Sequence, residues 1–234
     1  MADRQPLILA SASPRRRELL AYLGVVYRSV ANAAEDWDLQ PPPDLAARMP
    51  HVDLAPRYHP TLLAWRKAST ACEEAAGSVI IGADTIVVLD GDVLNKPVDA
   101  AAARAMLRRL SGRTHTVYTG VTLIDQRAGA SQTHVAIEAS QVTIAELSDA
   151  AIGGYVATGE PMDKAGAYGI QGLGGRLVMA VEGSYTNVVG LPLPVTHRLL
   201  QLVGFTALVA PSEAYRRWLV AQGKEPLPCP PTSP

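Results

Sequence analysis

The chain has 234 residues, 48% hydrophobic and 18% charged, with a formal net charge of −1. This excludes a disordered or coiled-coil chain and provides for a substantial core, built mainly from Val, Leu, Ile and Ala because there is a single Phe. The near-neutral balance argues against a general polyanion-binding surface, and so against a nucleic-acid partner, while leaving room for a local basic pocket. Two cysteines, Cys72 and Cys229, provide neither a disulfide framework nor zinc spacing, so a reduced intracellular compartment is the default. The first residues lack the layout of a signal peptide, and no stretch reaches the roughly 18 uninterrupted apolar residues of a membrane span. The expectation is a soluble, cytoplasmic protein with no membrane partner.

Residues 7–10 read as a short apolar strand. Ser13 is a good N-cap and Pro14 suits the first helical position, so a helix is predicted from there to about Leu23, ended by Gly24. The strand-to-helix turn aims backbone N–H groups outward beside the Ser11 and Ser13 hydroxyls, which makes a ready anion site. Arg15 and Arg16 stand in the first turn, where the helix dipole disfavours cations; a bound phosphate would explain them. The bland alternative is a solvated basic face, the reading that suits Arg17.

A second strand is predicted over 25–31, followed by the acids Glu35 and Asp36. Residues 38–60 have no usable period and many prolines, so they read as an irregular, exposed insertion with His51 and His59 facing solvent. Residues 61–76 are helical, with Leu62, Leu63, Trp65, Ala68 and Cys72 inward and Arg66 and Lys67 as surface charges.

The stretch 80–97 is an apolar strand interrupted by one acid, Asp84, with a hairpin signal at Asp90-Gly91. A buried carboxylate needs a partner charge, a metal or several donors. Gly82 and Ala83 leave room for something to approach the backbone, and Lys96, fixed by Pro97, returns toward the same space. A structural Asp–Lys pair and a catalytic or metal site are both compatible with this spacing.

Asp99 caps a helix over 100–110 that Ser111-Gly112 ends. Two long β segments, 114–125 and 133–145, form a hairpin, and a short helix covers 148–157. Residues 158–175 carry Glu160, Asp163, Lys164 and Gln171 among glycines, a polar binding loop rather than a linker. A strand at 176–181, a turn-rich return over 183–191, and helices at 192–203 and about 212–222 complete the chain, with 224–234 expected to be a disordered tail.

Six motifs in order resemble the Maf family of nucleoside triphosphate pyrophosphatases. They are Leu9-Ala10-Ser11-Ala12-Ser13-Pro14-Arg15-Arg16, Gly82-Ala83-Asp84-Thr85, Asn95-Lys96-Pro97, Leu110-Ser111-Gly112-Arg113-Thr114-His115, the run 159–172 and Asn187-Val188-Val189-Gly190-Leu191-Pro192. The resemblance implies an elongated α/β mixed-sheet fold of two lobes with a central cleft, related to the inosine triphosphate pyrophosphatases. Residues 1–223 would be that single unit, with the Pro-rich insertion at about 38–60. It implies hydrolysis of a nucleoside triphosphate between the α- and β-phosphates with a divalent metal, Mg²⁺ or Mn²⁺, and suggests a homodimer.

The run Asp163-Lys164-Ala165-Gly166-Ala167-Tyr168-Gly169-Ile170-Gln171 is similar to the dTTP/UTP group of that family. There the positions of Arg15, Thr85 and Gln171 are associated with base choice and that of Asp84 with the catalytic acceptor. Positions matching Ser11, Arg16, Glu35, Lys67 and Lys96 line the same site. The insertion is longer than the family pattern, which bears on Glu35 and Lys67 above all.

A nucleoside triphosphate brings about four negative charges, and no Gly-rich P-loop is present to wrap them. The 11–16 turn with Lys67 and Lys96 would supply donors and point charges instead. Asp84 and Glu35 are the acids available to hold a metal, and Asp84, Glu35 and Lys96 are the expected catalytic set. An ordinary aspartate, of pKa about 3.9, is a poor base at neutral pH, which favours Asp84 as metal ligand or orienter of water. Two rival readings are a nucleotide-binding regulator of cell division without hydrolysis and a nucleotidyltransferase.

Overall fold

The computed structural model describes residues 6–31, 39–72, 75–128 and 131–223. Glu35 and the 224–234 tail lie outside them.

Strands β1 (Leu7–Ala10), β2 (Tyr27–Val30), β3 (Val79–Leu89), β4 (Asp92–Leu94), β5 (Thr114–Asp125), β6 (Gln132–Ile144) and β7 (Val178–Glu182) form one mixed sheet. Its order is β2-β1-β3-β5-β6-β7, with β4 folded back on the end of β3. β1 runs parallel to both its neighbours, and every other pairing is antiparallel. The β3–β4 hairpin turns on Asp90 and Gly91 at φ 54° and 82°, the two left-handed residues a tight hairpin needs.

Side chains alternate across a strand, and β1 uses both faces. Leu7 and Leu9 join one apolar cluster; Ile8 and Ala10 join a second. The larger cluster takes in α1 (Pro14–Tyr22), α4 (Ala100–Leu110), α5 (Asp149–Ala157), α7 (Leu193–Leu202) and α8 (Pro211–Ala221). The second is closed by α3 (Pro60–Thr70), through Leu62, Trp65 and Ala68. The two expected caps are in place, Ser13 and Asp99 accepting from Arg16 and Ala102 N–H at 3.4 and 2.7 Å, and Ser148 caps α5 in the same way, accepting from Ala151 N–H at 3.2 Å.

Several expectations need correction. The 38–60 stretch is not wholly irregular, since it holds α2 (Pro43–Arg48) and a 3-10 turn at Pro56–Tyr58. Six residues are too few to show a period, yet Leu45 is buried against the second cluster. His51 is exposed as expected, but half-buried His59 caps α3. Its Nδ1 accepts from Thr61 N–H (3.2 Å), so its Nε2–H donates to the Pro50 carbonyl (2.7 Å). Arg66 is not a surface charge: it is buried, and its Nε donates to the Leu39 carbonyl at 3.0 Å. The return over 183–191 contains a short helix, α6 (Tyr185–Val189). Among the described residues no helix is long and apolar enough to cross a membrane.

The space beside Gly82 is filled by α3. A Cβ there would stand 2.3 Å from the Ala64 carbonyl oxygen, and one on Gly120 would stand 2.3 Å from Pro60 C and Thr61 N. Glycine in both strands therefore lets the helix backbone rest on the sheet.

Candidate active site

β1 pairs with β3 only as far as Gly82, and β4 joins it only from Val87. Residues 83–86 thus have no strand partner on that edge among the described residues, and a cavity of about 500 Å³ opens there. Its walls come from the start of α1, from α3, β3, the residues after β4, the 160–172 loop and α6. A crevice at strand ends where pairing changes is the usual ligand position in an α/β sheet.

Ile80, Gly82 and Asp84 share the face of β3 that meets α3. The close approach at Gly82 brings Lys67 of α3 onto Asp84, whose Oδ1 accepts from Lys67 Nζ. Both side chains are largely shielded, at 18% and 13% exposure. Lys67, which reads locally as a surface charge and by the family resemblance as a site residue, therefore lines the cavity. Asp84 Oδ2 has no hydrogen-bond partner among the described residues.

On the opposite face Thr85 meets Arg16. Arg16 Nε donates to the Gly190 carbonyl at 2.8 Å and Nη2 to Thr85 Oγ1 at 3.1 Å. Arg15, Lys96 and Gln171 also line the cavity. Ser11 does not; it is buried behind the turn, its Oγ accepting from Ser13 N–H (3.2 Å) and from Arg16 Nη1 (3.5 Å). The helix start consequently offers fewer open donors than the sequence suggests. Pro14 has no N–H, and Ser13 takes those of Arg16 and Arg17.

The far wall is the 158–175 segment, three 3-10 turns at Glu160–Asp163, Ala165–Ala167 and Leu173–Leu177. Glu160 holds it together. Its carboxylate accepts from Leu173 N–H (2.9 Å), Gly174 N–H (3.0 Å) and the Tyr155 hydroxyl (2.9 Å). Burial opposes ionisation of Glu160, but these donors and the Lys164 charge outweigh it and hold its carboxyl below the usual carboxylate range. A Cβ on Gly172 would lie 2.4 Å from Glu160 Oε2, which explains that glycine. Lys164 Nζ donates to the Glu160 carbonyl (3.1 Å) and pairs with Asp163, whose carboxyl that charge holds low against the cost of burial. The Gln171 Oε1 is buried with no hydrogen-bond partner among the described residues.

Behind this wall the Tyr168 hydroxyl meets His115 Nε2 of β5 at 2.8 Å. Burial pushes the His115 pKa down to about 4, so its ring is neutral at physiological pH. Glu160, Asp163, Lys164 and Tyr168 all line the cavity. The loop read as polar from the sequence does line the cavity, but the division of labour within it was not legible.

For a divalent metal, no three of His, Cys, Asp and Glu come together among the described residues. Asp163 is paired and Glu160 is engaged with the loop amides. Asp84, with one oxygen unengaged, fits an ion of the Mg²⁺ kind, which takes one or two carboxylates and completes its shell from phosphate oxygens and water.

The chain was compared with known proteins. It is 46% identical over 204 residues to a dTTP/UTP pyrophosphatase of Escherichia coli O157:H7, covering 86% of this chain and 94% of that one. A protein of the same name from Shewanella sp. (strain MR-7) is 47% identical over 201 residues, covering 85% and 98%. A third, from Pelotomaculum thermopropionicum, is 43% identical over 202 residues, covering 86% and 98%. The family model described as "Maf-like protein" matches residues 6–203, and with that extent of match the chain belongs to the Maf-like family.

Proposed function

We propose that this protein hydrolyses UTP and dTTP to the nucleoside monophosphate and pyrophosphate. The observation that carries the reading is the composition of the cavity at the gap in the sheet. Asp84 stands among Arg15, Arg16, Lys67 and Lys96, and faces a wall whose own acids, Glu160 and Asp163, are engaged within it and whose Gln171 amide oxygen has no hydrogen-bond partner among the described residues. The names of the three relatives point the same way.

The cations match a triphosphate and the charge that grows on a departing pyrophosphate. Gln171 matches the base. Its amide both donates and accepts, as the adjacent C=O and N–H groups of uracil and thymine require, and its oxygen lacks a donor among the described residues. Cytosine presents an acceptor where uracil presents N–H, which leaves that oxygen unsatisfied at a cost of about 1–3 kcal/mol. Asp84 orients the attacking water toward the α-phosphorus and takes up its proton, while Lys67 balances the carboxylate charge before substrate arrives. A bound Mg²⁺ or Mn²⁺ would add charge neutralisation on the phosphates and a more acidic water, and Asp84, together with Glu35, would hold it.

We place the reaction in a cytoplasmic homodimer, each chain a two-lobed unit with the Pro-rich segment as its insertion; light scattering at the monomer mass would contradict the dimer. Incubating the purified chain with each nucleoside triphosphate and Mg²⁺, and scoring monophosphate and pyrophosphate, tests the function. UTP and dTTP should lead. Tight nucleotide binding without turnover would favour the regulator reading instead.

A further inference from the structure

Thr119 lies on β5 directly across from Thr85 of β3, is fully buried and does not line the cavity. Its Oγ1 is 2.9 Å from the Asn187 carbonyl oxygen and 2.9 Å from Thr85 Oγ1. A hydroxyl has one hydrogen and a carbonyl oxygen can only accept. Thr119 therefore donates to Asn187, which leaves the Thr85 hydroxyl as donor in the Thr85–Thr119 bond. The hydrogen of Thr85 points inward, and only its lone pairs are left for Arg16 Nη2 at 3.1 Å. Thr85 thus has no O–H to offer a nucleobase carbonyl or a phosphate.

The same hydroxyl reaches Arg16 by a second route. The Asn187 carbonyl that accepts from Thr119 also accepts from Gly190 N–H at 2.9 Å, and the Gly190 carbonyl receives Arg16 Nε at 2.8 Å. Asn187 itself is buried and tied by Nδ2 to the Val117 carbonyl and Ser140 Oγ, both at 2.9 Å. Thr119 stands where the strand hydroxyl pair and the α6 turn meet, touching Thr85, which accepts from Arg16, and the Asn187 carbonyl that supports Gly190, which also accepts from Arg16.

We propose that Thr119 is a positioning residue that fixes the Thr85 hydroxyl as an acceptor and thereby holds the Arg16 guanidinium facing the cavity. The kinetic part rests on the nucleotide-hydrolysis reading; the orientation of Arg16 does not.

The test uses Thr119→Val, Thr119→Ser, Thr85→Val and the double valine variant, read in two ways. Without substrate, solvent exchange of the Arg16 Nε–H is followed by NMR; Thr119→Val should speed it about fivefold or more, and Thr119→Ser should keep it near wild type. With UTP and Mg²⁺, Thr119→Val should lower kcat/KM about tenfold, Thr119→Ser by no more than about twofold. The double variant should lose clearly less than the product of the two single losses, because the Thr85 route is common to both and only the Asn187 route is cut by Thr119→Val alone. Unchanged exchange in Thr119→Val, or losses that multiply in the double variant, would overturn the proposal. If the wild type releases no pyrophosphate from any nucleotide, the reaction falls, and the exchange data still decide for or against Thr119.

Discussion

The two walls of the cavity are held by different means. Asp84 and Lys67 come from a strand and a helix pressed together until glycine is the only residue that fits at Gly82 and Gly120. Gln171 comes from a chain of 3-10 turns gathered onto the Glu160 carboxylate by two backbone N–H groups and a tyrosine hydroxyl. The Asp84–Lys67 pair thus rests on regular structure, where spacing cannot drift, while the amide that would read a base rests on a loop with one anchor. Damage to the first wall should stop turnover, whereas damage to the second should loosen selectivity.

The largest expected effect is on the first wall. Asp84→Asn should lower kcat by about a thousandfold or more while circular dichroism and thermal unfolding stay near wild type. A rate within a few fold of wild type would remove Asp84 from the mechanism. Excess chelator should abolish pyrophosphate release in the intact protein, and full activity in its presence would contradict a metal-assisted reaction.

Gly82→Ala presses a methyl onto the Ala64 carbonyl and should destabilise the fold by about 1–3 kcal/mol in urea unfolding, with activity falling as Lys67 shifts from Asp84. Unaltered stability would mean that α3 can move away freely, and the rigid-wall picture would fail.

The seam between the walls is the His115–Tyr168 bond. With the His115 pKa lowered to about 4, the unfolded chain takes up a proton as pH falls below about 6.5, and the folded chain does not until about 4. Stability from this group is full above that window and is lost on acidification through it, amounting to about 2 kcal/mol between pH 7 and pH 5. Unfolding free energies at the two pH values, set against those of His115→Phe, should differ by that amount; identical pH dependence in the two proteins would show His115 charging freely in the fold.

The smallest effect belongs to the second wall. Glu160→Gln turns one acceptor oxygen into an N–H₂ that faces either the Leu173 N–H or the Gly174 N–H and Tyr155 hydroxyl, and should cost UTP turnover about tenfold in kcat/KM and narrow the preference for UTP over CTP. Inhibition by added pyrophosphate, which on this account would meet the phosphate wall alone, should be unchanged. Equal weakening of pyrophosphate would merge the two walls into one.

Much of this was legible in the chain. Ser13 and Asp99 announced their helices because a cap is a local hydrogen bond, and Asp90-Gly91 announced its hairpin because two left-handed residues admit few alternatives. Asp84 stood out as a carboxylate with no sequence-local partner, and Arg15 and Arg16 as cations at the wrong end of a helix. The ring around Asp84 was harder to read. Lys67 looks like any helix-surface lysine, and only the contact at Gly82 and Gly120 decides that it meets Asp84. Glu160 reads as one more loop acid, since the amides it gathers lie 13 and 14 residues away. Ser11 carries an apparent binding hydroxyl that folding turns inward, and Thr119 is indistinguishable from other strand threonines until its neighbours are known.

Hydrolysis of UTP in ¹⁸O-labelled water, followed by mass spectrometry of the products, tests the central claim most directly. Attack at the α-phosphorus beside Asp84 predicts UMP carrying the label and pyrophosphate free of it. Label in pyrophosphate, or UDP and inorganic phosphate as products, would contradict the account.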